Sequence, residues 1–273
     1  MKNVKTKKAK VKIFFILLIF LHFSKLDNLY FNKVDHRQYL KELFFMSFDI
    51  TRYTFRSHEL LKNVKPKFLQ ELESCKSIEK HTKGNILYEE GTDAKAVYRL
   101  IKGKVKIEQL NQDGKTRIVY IFVEGEFFGF RPLLSNEKHP VTAILLEDSE
   151  IEVYEGNRFI EITKKSPNLS FNLVQILSFE FNVWINLITS LSHKSAKEKI
   201  ALILLILNEK YKSEEEELEI SMTKSDIAKY SETSEETVVR VISFFESEGI
   251  LINHSRSIKI INMKLLSIIS EGF

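Results

Sequence analysis

From Lys65 to Ile162 apolar residues come in short runs punctuated by glycine, at Gly84, Gly91, Gly103, Gly114, Gly125 and Gly129. From Gly91 to Gly125 the glycines recur every 11 or 12 residues, the rhythm of strands joined by turns. Between them lie β-rich runs, Ala96 to Ile101, Val105 to Glu108 and Ile118 to Phe122. A fourth run, Ile151 to Tyr154, alternates apolar and charged residues as a half-buried strand does. Asn111-Gln112-Asp113-Gly114 reads as a hairpin turn. The segment reads as many short strands, and the pattern predicts a double-sheet jelly roll or a similar barrel.

After Pro167 the period changes. Leu169, Leu173, Ile176, Leu177, Val183, Trp184, Leu187, Ile188 and Leu191 form a wide apolar stripe at helical spacing over about Ser166 to His193, with Pro167 suited to the first turn. Such a stripe fits packing on the chain's own sheet and pairing with a second copy alike. A second helix is expected from about Ser195 to Lys210; its Ile200–Leu207 run is apolar throughout and too short to span a membrane. The acidic run Glu214–Glu217 reads as a solvated turn. Thr223 then stands as an N-cap, with Asp226 closing a capping box. Ser231-Glu232-Thr233 reads as a turn, and Thr233 or Ser234 caps a helix that runs to about Glu248, with Gly249 at its end. On that helix Val238, Ile242 and Phe245 share the core face, and Glu236, Val239, Arg240 and Ser243 another. Taken alone, the latter is a surface face with an ion pair at i, i+4. Ile250–Ile252 and Ile258–Ile261, flanking Asn253–Ser257, read as a strand–turn–strand wing.

Composition fits a soluble globular protein of about two domains: 273 residues, 44% hydrophobic and 29% charged. The single cysteine, Cys75, excludes an intrachain disulfide and any multi-cysteine zinc or iron–sulfur site. The net charge of +4 is unevenly placed, since residues 1–45 hold ten Lys or Arg against three Asp or Glu. There six lysines within the first twelve residues precede an apolar run from Ile13 to Phe23. Three readings stand for this extension: a membrane-surface anchor, a signal peptide, or residues outside the functional protein, with translation starting at Met46. The third is favoured, because every interpretable pattern follows Met46. Residues 194–273 carry eleven basic and fourteen acidic residues, so any nucleic-acid contact must rest on local sites. No nucleophile elbow, P-loop, HExxH or dinucleotide fingerprint is present, so neither catalytic residues nor a metal site nor a resident cofactor is expected.

The runs Gly84–Gly91 and Val97–Val105 resemble a cyclic-nucleotide-binding-type domain, and Gly125–Gly129 is similar to the lead-in to that fold's phosphate-binding cassette. Ser234–Arg240 resembles the recognition motif of the Crp/Fnr family, and the resemblance spans about residues 60–262. It implies an α+β chain: a sensor domain of jelly-roll type over 60–164, a dimerisation helix over 166–193, and a winged helix-turn-helix over 194–273. It implies a cytoplasmic homodimer on double-stranded DNA, meeting RNA polymerase if it activates. Glu236, Val239 and Arg240 then fall at base-reading positions, where Glu accepts from cytosine, Val meets a thymine methyl and Arg forks onto guanine. Phosphate contacts are expected from Thr223, Lys224, Ser225, Ser234, Thr237 and Arg256.

Two departures qualify the resemblance. Cyclic-AMP-binding members place a Glu just after the cassette glycine and an Arg about ten residues on. Here Phe130 follows Gly129, and Pro140 stands in the Arg region. Cyclic AMP is therefore not expected, and an effector pocket is placed at Phe128, Gly129, Phe130, Arg131, Leu133 and Thr142, its ligand unknown or absent. Glu235 stands where some members carry a base-reading Arg, so no target sequence follows. The alternative function is a sensor or scaffold that has lost DNA binding.

Overall fold

The computed structural model describes residues 49–212 and 219–272; the extension read at 1–45 and the acidic run Glu214–Glu217 lie outside the described residues. Eight strands form two four-stranded antiparallel sheets: β1 (Lys76–His81), β2 (Ile86–Tyr88), β3 (Ala96–Lys102), β4 (Val105–Leu110), β5 (Thr116–Phe122), β6 (Phe127–Phe128), β7 (Thr142–Leu145) and β8 (Ser149–Glu155). One sheet is ordered β1-β8-β3-β6 and the other β2-β7-β4-β5. The predicted runs fall on β3, β4, β5 and β8. Asn111–Gly114 closes the β4–β5 hairpin, Gly114 N donating to Asn111 O at 3.0 Å.

Three helices that the strand reading of 65–162 did not include stand among these strands, α1 (Pro66–Glu73), α2 (Phe130–Ser135) and α3 (Gly156–Lys165). Pro66 opens α1 after an extended Lys65. In α3, Phe159, Ile162 and Thr163 are buried at helical spacing. A Cβ on Gly156 would lie 2.6 Å from the Lys95 carbonyl oxygen, so glycine lets α3 start hard against β3. The roll also begins earlier than residue 60. Phe55 stacks on Tyr120 with centroids 3.7 Å apart, and Ser57 Oγ accepts from Phe127 N at 3.0 Å.

Helix α4 (Pro167–His193) opens with Ser166 Oγ accepting from Leu169 N. It has two apolar stripes. Leu169, Leu173, Ile176, Val183 and Leu187 are buried; the first three join the core cluster with Leu60, Leu72, Phe127 and Phe159. Phe171, Val174, Phe181, Ile185 and Ile188 are exposed. Ile188, read as part of one stripe, belongs to this second one. Together the stripes make α4 the one described helix long and apolar enough by composition to cross a membrane, yet Glu180 lies buried on its inner face.

The C-terminal part is built round α5 (Ala196–Lys210). Ser195 and Glu198 form a complete capping box, and every residue from Ile200 to Leu207 is buried. A helix apolar all round must be covered all round. Its neighbours are α6 (Lys224–Ser231), α7 (Glu235–Ser247) and α8 (Met263–Ser270), the last absent from the pattern reading. Between α7 and α8 the strands β9 (Leu251–Asn253) and β10 (Ile258–Ile260) form the wing, and Ile220 bridges to Ile258 at its other edge.

Candidate nucleic-acid interface and effector pocket

Helices α6 and α7 are joined through Glu232, which takes a left-handed conformation with φ 51°. Ser234 caps α7: its Oγ accepts from Thr237 N at 3.2 Å and lies 2.8 Å from Thr237 Oγ1. Both hydroxyls are thus part of the helix start. Val238, Val241, Ile242 and Phe245 are buried. Glu235, Glu236, Val239, Arg240 and Ser243 all face solvent. No ion pair joins Glu236 to Arg240, and neither has a side-chain partner among the described residues. Val239 is 48% exposed, an aliphatic side chain set between two unpaired charges.

The other expected phosphate contacts take different places. Thr223 Oγ1 accepts from Asp226 N at 3.0 Å, half of the expected box. The reciprocal half is not formed, because the Asp226 carboxylate pairs with Lys106 instead. Lys224 Nζ donates to Asn253 Oδ1 at 2.6 Å, tying the start of α6 to the wing. Partial burial pushes the Lys224 ammonium pKa down, against the opposing charge of Glu246. Ser225 is half-buried and Arg256 is exposed at the wing tip. The wing turn is closed by His254 N donating to Ser257 O at 2.9 Å.

Helix α6 lies on β5, and four charges lock it to the roll. Lys106 Nζ is 2.6 Å from Asp226 and 2.8 Å from Glu108, and Lys229 Nζ is 3.1 Å from Glu108. Lys106 and Glu108 are two apart on a strand and so share a face; Asp226 and Lys229 are three apart on a helix. Burial would lower the Lys106 pKa, but the hydrogen bonds of Asp226 and Glu108 outweigh it and hold it up. Arg117 pairs with Glu232 at the exposed rim, 3.2 Å away. Under the joint Lys210 lies 3.8 Å from Glu126 and 3.9 Å from the Tyr120 ring centroid. The sequence reading missed this joint; its one visible signal was the opposite charges at Lys106 and Glu108 on the outward face of β4.

The expected effector pocket is a cavity of about 40 Å³ lined by Phe128, Gly129, Phe130 and Arg131 with Tyr88, Ile107, Phe122, Pro132, His139, Pro140 and Val141. Leu133 and Thr142 do not line it. Leu133 turns into the core beside α3, and Thr142 Oγ1 accepts from Glu90 N at 3.0 Å. Gly129 has φ 82°, and a Cβ there would meet Tyr98 Cδ2 at 2.7 Å, so the cassette backbone is pressed onto β3. Rings fill the interior: Phe122 stacks on Phe128 at 4.8 Å and Tyr88 on His139 at 3.8 Å. Burial lowers the pKa of His139, favouring the neutral ring. About 40 Å³ holds a few waters and is far below the ~300 Å³ of a small drug-sized ligand pocket. The Tyr88–His139 stack also lines an open groove of about 410 Å³ with Ile86, Glu89, Asp93, Lys95 and Tyr98.

A jelly roll joined by a long helix to a winged helix-turn-helix defines a class of DNA-binding regulators. The chain matches the cyclic nucleotide-binding domain over residues 78–166 and the Crp-like helix-turn-helix domain over residues 198–268. It is 27% identical over 220 residues to the fumarate and nitrate reduction regulatory protein of Yersinia pestis, covering 79% of this chain and 84% of that one. It is 26% identical over 221 residues to the regulatory protein HlyX of Actinobacillus pleuropneumoniae, covering 79% and 88%. In fold it is similar to FixK2 from Bradyrhizobium japonicum, with TM-score 0.64, 22% identity and coverage of 71% and 96%. A Crp/Fnr-family regulator from Eubacterium rectale gives TM-score 0.65, 18% identity and coverage of 78% and 98%. The chain belongs to the Crp/Fnr family of DNA-binding transcription regulators.

Proposed function

We propose that the chain acts in the cytoplasm as a homodimer that binds a specific DNA sequence through α7 in the major groove. The observation that carries this reading is the split of α7. One face is locked into the core, while Glu236, Val239 and Arg240 stand exposed and unpaired. A charge left without a protein partner on a capped, well-packed helix is free to meet a base edge. Thr223, Ser225, Ser234, Thr237 and Arg256 flank that face and supply phosphate contacts, together with the amides at the starts of α6 and α7. Lys224 contributes by holding the wing in place.

The division of labour follows the domains: residues 60–164 with the preceding strap as sensor, 166–193 as dimer helix, and 194–273 as DNA reader. The exposed stripe of α4 supports the dimer. Cyclic nucleotides are not the effector, since the pocket is filled by rings and its one arginine is committed to Glu180. The lone Cys75 is half-buried and its thiol pKa is raised by burial, so it does not suit a cluster ligand. If the regulator activates, RNA polymerase is a further partner.

The deciding experiment selects duplexes from a random pool and measures binding of wild type and Arg240→Ala against salt. The expected result is a palindromic site, with Arg240→Ala weakening it by about 1–3 kcal/mol, roughly 5- to 150-fold, and relaxing one base position. No selected sequence, with no loss in Arg240→Ala, would favour the sensor-or-scaffold alternative. Calorimetry against cyclic AMP and cyclic GMP should show no tight binding.

A further inference from the structure

Arg131 and Glu180 come together from the cassette helix α2 and the middle of α4, 49 positions apart in sequence. Arg131 Nε donates to Glu180 Oε2 at 2.7 Å, and Nη2 lies 2.6 Å from the same oxygen. The guanidinium carbon sits 5.0 Å from the ring centroid of Phe55, 5.8 Å from Phe130 and 5.9 Å from Trp184. These rings come from three segments: the strap before the roll, α2 and α4. Aromatic faces attract the cation and also displace water from it, so the charge there calls for a bound anion.

Glu180 is the unusual member of its helix face. Its buried neighbours on that face are Leu173, Ile176, Val183 and Leu187. Its side chain is 2% exposed, and Oε1 has no hydrogen-bond partner among the described residues. Burial pushes its carboxyl pKa up, against the pull of Arg131, and nearby Glu126 adds to the rise. An apolar residue would continue the stripe at no such cost. Helix packing therefore gives no reason for a carboxylate at this position, and Arg131 does.

We propose that Arg131 forms an anion site of the sensor roll which the chain fills with its own Glu180 carboxylate, joining roll to α4 without an outside ligand. Removing that carboxylate opens the site to a small monocarboxylate. In Glu180→Ala the deleted atoms are one methylene and one carboxylate, the outline of acetate, and the adjoining cavity of about 40 Å³ leaves no room for a nucleotide. The inference rests on reading this half as the sensor, but not on DNA binding, so its readout is thermal stability of the full chain.

Melting is followed in sodium acetate and in sodium chloride at equal ionic strength. Glu180→Ala is expected to melt below wild type, and acetate to raise its midpoint saturably by at least about 3 °C over chloride. Wild type and the Arg131→Met/Glu180→Ala double variant should show no acetate-specific rise. An equal rise in the double variant, or none in Glu180→Ala, would overturn the proposal. If Glu180→Ala does not fold, the cycle of Arg131→Met and Glu180→Gln replaces it. The pair predicts a coupling of at least about tenfold in the unfolding constant, and simple additivity would refute it.

Discussion

Asp226, in the first turn of the helix-turn-helix, lies 2.6 Å from Lys106 of the β-roll, and both side chains are nearly buried. The row Asp226, Lys106, Glu108 and Lys229 alternates in sign, each charge beside the next, and carries no net charge. Each charge desolvated by docking α6 on β5 is thereby met by an opposite one. Removing Lys106 leaves Asp226 without its cation, and removing Asp226 leaves the row one positive charge in excess. Lys106→Met and Asp226→Asn should each loosen the DNA-binding half from the roll, seen as faster proteolysis between Lys210 and Thr223. A double-mutant cycle should give a coupling of about 1–3 kcal/mol. Additive effects would mean that Lys106 and Asp226 do not act as a unit.

Glu126 and Lys210 should respond unequally to mutation. Glu126 accepts from Tyr120 Oη and from Val123 N, each at 2.8 Å, so it keeps two partners without the lysine. Lys210 Nζ has no hydrogen-bond partner among the described residues; its nearest anion is Glu126 at 3.8 Å, and burial drives its pKa down. Glu126→Leu therefore strands a buried ammonium and should cost about 3–5 kcal/mol. Lys210→Met removes a desolvated charge while keeping the stem, and should cost less than about 1.5 kcal/mol. Chemical denaturation of both variants checks the order; equal losses would sink it.

What the sequence disclosed and what it hid divide by range. The cap at Ser234 and the inner face of Val238, Ile242 and Phe245 are local, so a helical period and a hydroxyl suffice to place α7. The cassette run Phe128–Arg131 is contiguous, and its four residues line one cavity. Leu133 was misplaced because α2 sets it against the start of α3, where it joins the core cluster instead of lining the cavity. Glu108 and Glu152 looked like solvent positions on alternating strands, and both are buried by elements distant in sequence. The Arg131–Glu180 pair has no local signature at all. Helix α8 was overlooked because its apolar run, Leu265 to Ile269, follows the wing with only Asn262 as a cap.

Acid should unfasten the roll at Glu152. Burial alone would raise its pKa, but Lys76 at 2.5 Å, Tyr154 Oη at 2.8 Å and the charge of Arg99 hold it below its ordinary value. A carboxyl whose folded pKa is depressed binds protons more readily in the unfolded chain. Its stabilisation is complete above the unfolded pKa and is lost as pH falls through the folded one, below the usual carboxylate range. Glu152→Gln should lower stability at neutral pH and flatten the acid limb of a melting-temperature profile. An unchanged acid limb would show that Glu152 does not contribute to it.

The exposed stripe of α4 makes the dimer testable without touching the DNA-reading face. Phe171, Val174, Ser178, Phe181, Ile185 and Ile188 follow one another at spacings of three and four, the a/d seam of a coiled coil, with one serine in it. Phe171 is 61% exposed and Phe181 66%, values out of place for phenylalanine on a monomer surface. A second copy of α4 placed along this seam would cover all of them at once. Because Phe181 lies outside the protomer core, Phe181→Glu should leave the protomer folded, with unchanged far-ultraviolet dichroism. It places like charges across the seam, so light scattering should show monomer at concentrations where wild type is dimer. Binding to a two-half-site duplex should then fall steeply, while the contacts of α7 to a single half-site are unaltered. A variant that remains dimeric and binds DNA as wild type does would remove α4 from the interface.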